Sequence, residues 1–180
     1  MKRLLYLTII LVIGCSLAIA QTAQTGQVKK ETVAGITNLA RIESTVACAG
    51  AITPGSVSEI KKMGFKSIFN LRMESEQGAD IPGEMAAAKS AGINYFHLPF
   101  NGSQPDPAIV DKFLKTISQN GNEPAFIHCA GGNRAAAMWF IKRALVDKWD
   151  NDRAMKEATD LGFTSPALKT FAVDYVQKHK

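Results

Sequence analysis

One short segment of the chain combines a cysteine, two glycines and an arginine between a strand-like run and a helix-like run. Cys129 follows the apolar segment 124–128, Arg134 precedes the apolar segment 135–141, and between them lie Ala130, Gly131, Gly132 and Asn133. Backbone N–H groups of a small loop that leads into a helix converge on one point, where they favour negative charge. The segment is therefore predicted to form an anion cradle, in which backbone N–H groups bind a negatively charged group.

The same segment could also attack the anion that it binds. The field of the N–H groups stabilises the thiolate of Cys129, which is the nucleophilic form of cysteine. Arg134 adds a planar set of donors suited to phosphate or another oxyanion. We therefore predict that Cys129 and Arg134 are catalytic and that the 130–133 loop binds the substrate. A buried structural cysteine beside a glycine-rich turn is the alternative.

Strands and helices must alternate to position this loop. The hydrophobic periodicity predicts strands over 42–48, 65–71, 93–98 and 124–128, and helices over 53–63, 84–91, 108–119, 134–148, 151–160 and 166–178. Such alternation is typical of a three-layer α/β sandwich with a mostly parallel central sheet flanked by helices. Ligands of such sheets bind at the carboxyl ends of the strands, where Cys129, Arg72 and the loop after Leu98 lie.

The first twenty residues have the layout of a secretory signal peptide. A basic start is followed by the apolar run 4–13, and small residues precede a cleavage site after Ala20. The apolar run is short for a membrane-spanning helix. We expect an exported, periplasmic protein without stable membrane insertion, with a loose leader over 21–35 and a single domain over 36–180. Lipidation at Cys15, within a lipobox-like sequence, is the alternative.

The composition excludes some classes of function. The formal net charge is +5 and becomes +3 without Lys2 and Arg3, a mild excess that does not indicate nucleic-acid binding. Removal of the signal leaves two cysteines, too few for a disulfide framework. We find no cluster with metal-ligand spacing and no glycine-rich nucleotide motif, so we expect no metal and no cofactor.

Several segments besides the cysteine loop point to a known family. They are 52–54 (Ile-Thr-Pro), 63–72 followed by Glu76, 95–99 (Tyr-Phe-His-Leu-Pro) and 128–134 (His-Cys-x-x-Gly-x-Arg). In this order they resemble the cysteine-dependent phosphatases of the dual-specificity and tyrosine-phosphatase superfamily, and within it the bacterial beta-lactamase-hydrolase-like branch. The resemblance covers most of residues 35–180 and implies a phosphatase-like fold.

The resemblance implies a hydrolase that acts on phosphomonoesters, phosphotyrosine among the candidates, in a protein or a small molecule. The Cys129 thiolate would form a phosphocysteine that water then hydrolyses, and an acid on the loop after Leu98 would protonate the leaving oxygen. Asp106 is the only acid in that loop, although an Asp before Pro is also a common helix cap. Asn101 lies nearer the family position and cannot donate a proton in this way.

The resemblance also suggests supporting roles. His128 would orient the loop. Arg72 would contact the substrate. Alternatively, Arg72 and Glu76 would support the loop together or form a solvated ion pair. Cys48 ends the first predicted strand and is interpreted as a small core residue. A reversible disulfide between Cys48 and Cys129 is the sharper hypothesis.

Two departures keep other functions open. Four residues separate Cys129 from Arg134, where most of these phosphatases have five, and the shorter loop also resembles rhodanese-type sulfurtransferases. Ala135 replaces the Ser or Thr that assists the second chemical step. A sulfurtransferase using a Cys129 persulfide and a non-catalytic anion-binding module are therefore the alternatives.

Overall fold

The computed structural model describes residues 26–43 and 45–180. The strands are β1 (Lys29–Val33), β2 (Ile36–Ile42), β3 (Val46–Ala49), β4 (Ser67–Asn70), β5 (Asn94–His97) and β6 (Ala125–His128). The helices are α1 (Val57–Lys62), which a 3-10 turn precedes, α2 (Ile81–Ala91), α3 (Pro107–Ile117), α4 (Asn133–Leu145), α5 (Asn151–Asp160) and α6 (Pro166–His179). The predicted signal peptide and Cys15 lie outside the described residues.

The strands form one sheet in the order β1-β2-β3-β6-β4-β5. Strands β3, β6, β4 and β5 pair in parallel, whereas β1, β2 and β3 pair antiparallel. One hydrophobic cluster packs side chains of α1 and α2 on one face, and a larger cluster packs α3 to α6 on the other. The predicted three-layer fold with a mostly parallel sheet is thereby confirmed.

Strand β6 lies in the middle of the parallel part, between β3 and β4. Its register sets Ile127 opposite Cys48 on β3 and opposite Phe69 on β4. All four residues of β6 are buried, as expected for a strand covered on both faces. The carboxyl end of β6 therefore opens between the ends of two neighbouring strands, where a parallel sheet places its ligands.

Helix α4 is the central helix of the larger layer. Residues 135–141 are all buried, so this helix is apolar around its whole circumference. It packs between α5 and α6 against the sheet. A helix enclosed in this way is a rigid support for the loop at its N-terminus. No helix in the described ranges is both long and apolar enough to cross a membrane.

The N-terminal part of the chain differs from the sequence-based expectation. Within the leader predicted over 21–35, the described part contains β1, which forms a hairpin with β2, so a loose leader is wrong for that part. The strand predicted over 42–48 is divided between β2 and β3. Strand β1 is mostly exposed and therefore lacks the apolar alternation that reveals a strand. An ion pair of Arg41 with Glu31, 2.9 Å between Nε and Oε2, joins the two strands instead.

Candidate active site

Cys129 lies directly after β6, at the base of the loop that leads into α4. Its N–H donates to the carbonyl of Ala49 (3.2 Å), which continues the pairing of β6 with β3 by one residue. Its Sγ accepts the N–H of Gly132 at 3.1 Å, and only 1% of the residue is exposed. The sulfur is thus held at the inner side of the loop.

Gly132 makes the turn from the loop into the helix. Its φ of 104° lies in the left-handed region, which glycine adopts without the steric cost paid by other residues. Helices α2, α3, α5 and α6 begin at a side chain that caps a backbone N–H, whereas α4 has no such cap. The first N–H groups of α4 therefore remain for a ligand, beside the sulfur.

Arg134 has one edge of its guanidinium fixed by protein acceptors. Nη1 and Nη2 donate to Oε1 and Oε2 of Glu76 at 2.6 and 2.8 Å. Nη1 also donates to the carbonyls of Leu71 and Phe100, each at 3.0 Å. Three loops, those that follow β4, β5 and β6, are therefore joined at this one side chain.

The guanidinium of Arg134 also interacts with the side chain of Cys129. Burial lowers the pKa of the guanidinium, but the hydrogen bond to Glu76 and the interaction with Cys129 outweigh it, and the pKa is raised. Because Nη1 and one hydrogen of Nη2 are used, the free donors are Nε–H and the second hydrogen of Nη2. These two parallel N–H groups form a fork for two oxygens of an anion.

Glu76 is the anchor of this arrangement. Burial raises the pKa of its carboxyl, but hydrogen bonds from Arg134, from the N–H of Met73 and from Arg72 lower it to about 2. Glu76 is therefore ionised at any pH near neutrality. The sequence motif singled out Glu76 as a partner of Arg72, but its contact with Arg134 was missed, since the two residues are 58 positions apart and no local pattern links them.

Arg72 is buried, with 3% of its side chain exposed. Nη1 and Nη2 donate to the carbonyls of Gly78 (2.9 Å) and Gln77 (2.6 Å), and Nε lies 3.3 Å from Oε2 of Glu76. The ion pair is thus enclosed rather than solvated. This placement makes Arg72 a support of the 73–80 loop and gives no evidence for the predicted contact with substrate.

Asp106 caps helix α3. Its Oδ1 accepts the N–H of Ala108 at 2.9 Å, and its side chain is exposed. Asn101 uses its Oδ1 for the N–H of Ser103 (3.0 Å). The loop itself belongs to the site, because a Cβ added to Gly102 would touch the Arg134 side chain at 3.5 Å. The role of Asp106 as general acid stays a prediction.

The remaining loop residues have different surroundings. Ala130 and Gly131 are exposed and Gly132 is buried. The Asn133 side chain contacts the segment before α6, because Oδ1 accepts the N–H groups of Thr164 (2.8 Å) and Ser165 (2.7 Å) and Nδ2 donates one hydrogen to Oγ1 of Thr164. The side chain of Asn133 therefore joins α4 to the start of α6.

His128 lies in a buried polar cluster beneath the loop. Its Nε2 is 3.3 Å from Oε2 of Glu84, and both side chains are fully buried. The same carboxyl oxygen accepts from Asn70 Nδ2 (2.8 Å) and from Tyr95 Oη (2.6 Å). Burial and the hydrogen bond to Glu84 raise the pKa of Tyr95. Of these residues only His128 was assigned a role from the sequence, and Glu84 was missed because a buried Glu inside a helix has no distinctive local pattern.

Cys48 lies on β3, buried in the same hydrophobic cluster as Cys129. Both thiols are free. Burial raises the pKa of Cys48 well above its usual value, and the neighbouring Cys129 and Glu157 add to that shift. The disulfide between them stays a hypothesis.

Several solved structures share this fold. A DUF442 protein of Shewanella putrefaciens superimposes with a TM-score of 0.68 and 20% identity, covering 81% of this chain and 95% of that one. TpbA of P. aeruginosa has a TM-score of 0.62 and 22% identity, covering 86% and 91%. The core catalytic domain of the PP-IP phosphatase SIW14 of S. cerevisiae has a TM-score of 0.63 and 17% identity, covering 80% of this chain and 88% of that one.

The fold and the family together place the chain in the class of phosphatase-like domains. A family model described as "Beta-lactamase hydrolase-like protein, phosphatase-like domain" matches residues 38–146. The chain belongs to this family, which confirms the resemblance seen in the motifs.

Curated relatives agree with the family but are much longer. The beta-lactamase hydrolase-like protein of Agrobacterium fabrum is 32% identical over 111 residues, which are 58% of this chain and 25% of the relative. That of Xylella fastidiosa is 26% identical over 114 residues, 62% and 26% respectively. The match spans about a quarter of the length of these relatives.

Proposed function

We propose that this protein hydrolyses phosphomonoesters with Cys129 as the nucleophile. The observation that carries the proposal is the position of Arg134, whose Nη1 and Nη2 are held by Glu76 while the guanidinium also interacts with Cys129. Nucleophile, guanidinium fork and uncapped helix N-terminus thus meet at one point. A phosphoryl group placed there would have an attacking atom on one side and donors for its non-bridging oxygens around it.

The proposed reaction has two steps. In the first, the Cys129 thiolate forms an S–P bond as the P–O bond to the leaving group breaks, and the leaving oxygen takes a proton from Asp106. In the second, water attacks the phosphocysteine, the S–P bond breaks with its electron pair on sulfur, and the water proton returns to Asp106. Arg134 and the loop N–H groups hold the phosphoryl oxygens in both steps.

Hydrolysis of an aryl phosphate tests this proposal. We expect wild-type turnover that vanadate inhibits, loss of activity in Cys129→Ser, and a loss of about 100-fold or more in Arg134→Lys, which keeps the charge but not the fork. Turnover that survives in Cys129→Ser would overturn the proposal.

The length of the loop favours a second candidate, a sulfurtransferase that carries a persulfide on Cys129. Four residues between Cys129 and Arg134 make a smaller ring than the five that most of these phosphatases have. An assay with thiosulfate and cyanide, run beside the aryl phosphate assay, separates the two. If neither substrate turns over while phosphate still raises the melting temperature, the protein is an anion-binding module.

The natural substrate that we propose is phosphorylated, with phosphotyrosine as one candidate. Two proteins of the same fold support this class, since TpbA was crystallised with phosphotyrosine and SIW14 is named a PP-IP phosphatase. We further propose export to the periplasm, on the evidence of the signal-like residues 1–20. Cell fractionation tests the location, and Cys15→Ser tests the lipidated alternative.

A further inference from the structure

We propose that Asn38 of the N-terminal hairpin is a positioning residue for the cysteine loop. Its Nδ2 donates to the carbonyl of Gly131 at 3.3 Å, across 93 positions of sequence. Asn38 stands at the very edge of the region that the family model matches, and β1 lies outside it. The hairpin thus adds a contact to the loop from the very edge of the matched region.

A bulge in strand β2 aims Asn38 at the loop. The register pairs Val33 with Ile36 but Glu31 with Leu39, so β2 has one residue more than β1 across this stretch. Asn38 takes a φ of 49°, in the left-handed region that Asn tolerates better than most residues. A bulge beside an active site is a common way to redirect one side chain.

The segment directly after β3 also links the hairpin to the loop through backbone hydrogen bonds. The N–H of Ala51 donates to the carbonyl of Ala130 (3.0 Å), and the N–H of Gly50 donates to the carbonyl of Thr37 (2.7 Å). A Cβ at Gly50 would lie 2.8 Å from the Ala130 oxygen, so only glycine permits this approach. The carbonyls of Ala130 and Gly131 are therefore both held on the outer side of the loop.

Because the carbonyls of Ala130 and Gly131 are held on the outer side of the loop, the N–H groups of Gly131 and Gly132 point toward its inner side. In a planar trans peptide the C=O and the following N–H point in opposite directions. The Ala51 contact on Ala130 thus directs the Gly131 N–H into the cradle, and the Asn38 contact on Gly131 does the same for the Gly132 N–H. The second effect is visible, because the Gly132 N–H donates to Cys129 Sγ.

This inference rests on the proposed function for its catalytic consequence only. Loss of the Asn38 amide frees the Gly131–Gly132 peptide to rotate, which weakens the hydrogen bond on the sulfur. The thiolate then loses a donor, and so does the bound phosphoryl group.

Asn38→Gly tests the inference, since glycine keeps the backbone conformation and removes only the amide. We expect the pH midpoint of Cys129 alkylation by iodoacetamide to move upward and kcat/KM for an aryl phosphate to fall by about 3- to 10-fold, the effect of one hydrogen bond. Glu43→Gly is the matched control, because Glu43 also has a positive φ (41°), lies in the turn directly after β2, and has an exposed side chain. It should leave both quantities unchanged.

Asn38→Asp distinguishes loss of the hydrogen bond to Gly131 from loss of the volume of the side chain. It keeps the size of the side chain but sets a carboxylate against the Gly131 carbonyl, so the alkylation midpoint should move at least as far as in Asn38→Gly. An alkylation profile identical to wild type in both variants would overturn the role of Asn38. Absence of phosphate hydrolysis by the wild type would instead overturn the proposed function, and the alkylation profile would still decide on Asn38.

Discussion

Replacing Glu76 by Gln should remove the anchor of Arg134 while leaving the volume of the side chain unchanged. The amide of Gln can accept from only one of Nη1 and Nη2, and its NH2 group then opposes the other donor. Nη1 keeps the carbonyls of Leu71 and Phe100. The guanidinium stays near the site but is no longer held at both nitrogens.

The size of the effect follows from the lowered pKa of Glu76. A fall from 4.5 to about 2 corresponds to an upper bound of about 3 kcal/mol of interaction with the ionised form. Because 22% of the side chain is exposed, solvent screening reduces this to about 1–2 kcal/mol of folding stability. Loss of the fixed orientation of Arg134 should lower kcat/KM by about 10- to 100-fold.

The lowered pKa of Glu76 determines how the stability difference between wild type and Glu76→Gln changes with pH. The carboxyl has a lower pKa in the folded protein than in the unfolded chain, so its contribution is present above pH 4.5 and is lost as the pH falls toward 2. The difference in unfolding free energy between wild type and Glu76→Gln should therefore be full at pH 7 and shrink between pH 4.5 and 2. Urea unfolding at several pH values measures it.

Glu74→Gln is the control, since Glu74 is exposed on the same loop. It should change neither the stability nor the activity appreciably. A Glu76→Gln variant with wild-type kcat/KM would refute the reasoning that the Glu76 contact orients Arg134. A stability difference that grew at low pH would refute the assignment of the lowered pKa to this ion pair.

Two further predictions concern the loop and the acid. Gly132→Ala should lower the free energy of unfolding by about 1–2 kcal/mol because of the positive φ at this position, and it should abolish aryl phosphate hydrolysis. Gly121→Ala is the control, because Gly121 has a φ of 88° in a distant turn. It should lower the free energy of unfolding by a similar amount and leave the activity unchanged. Calorimetry and the phosphatase assay separate these effects. Asp106→Asn preserves the helix cap, so the melting temperature should stay within about 2 °C while hydrolysis of phosphates with poor leaving groups falls. Equal activity of wild type and Asp106→Asn on such substrates would assign the acid elsewhere.

Local sequence determined much of the fold. Helix α5 begins and ends where its pattern predicts, and α6 differs by one residue. The loop between β6 and α4 was predicted to within one residue, because an apolar strand, glycines and an apolar helix follow one another directly in the chain. These features depend on residues within one or two turns of each other, which is the range over which periodicity and capping act.

The partners of the loop were decided only by the tertiary structure. Glu76 holds Arg134, Glu84 meets His128, and Asn38 reaches Gly131, each across a long stretch of chain. Such contacts depend on the strand order, which sets β6 between β3 and β4 and brings the loops at their ends together. Sequence alone thus determined which residues could do the chemistry. Their orientation was decided by the sheet, because an arginine or a peptide plane is fixed only by acceptors and donors that distant segments supply.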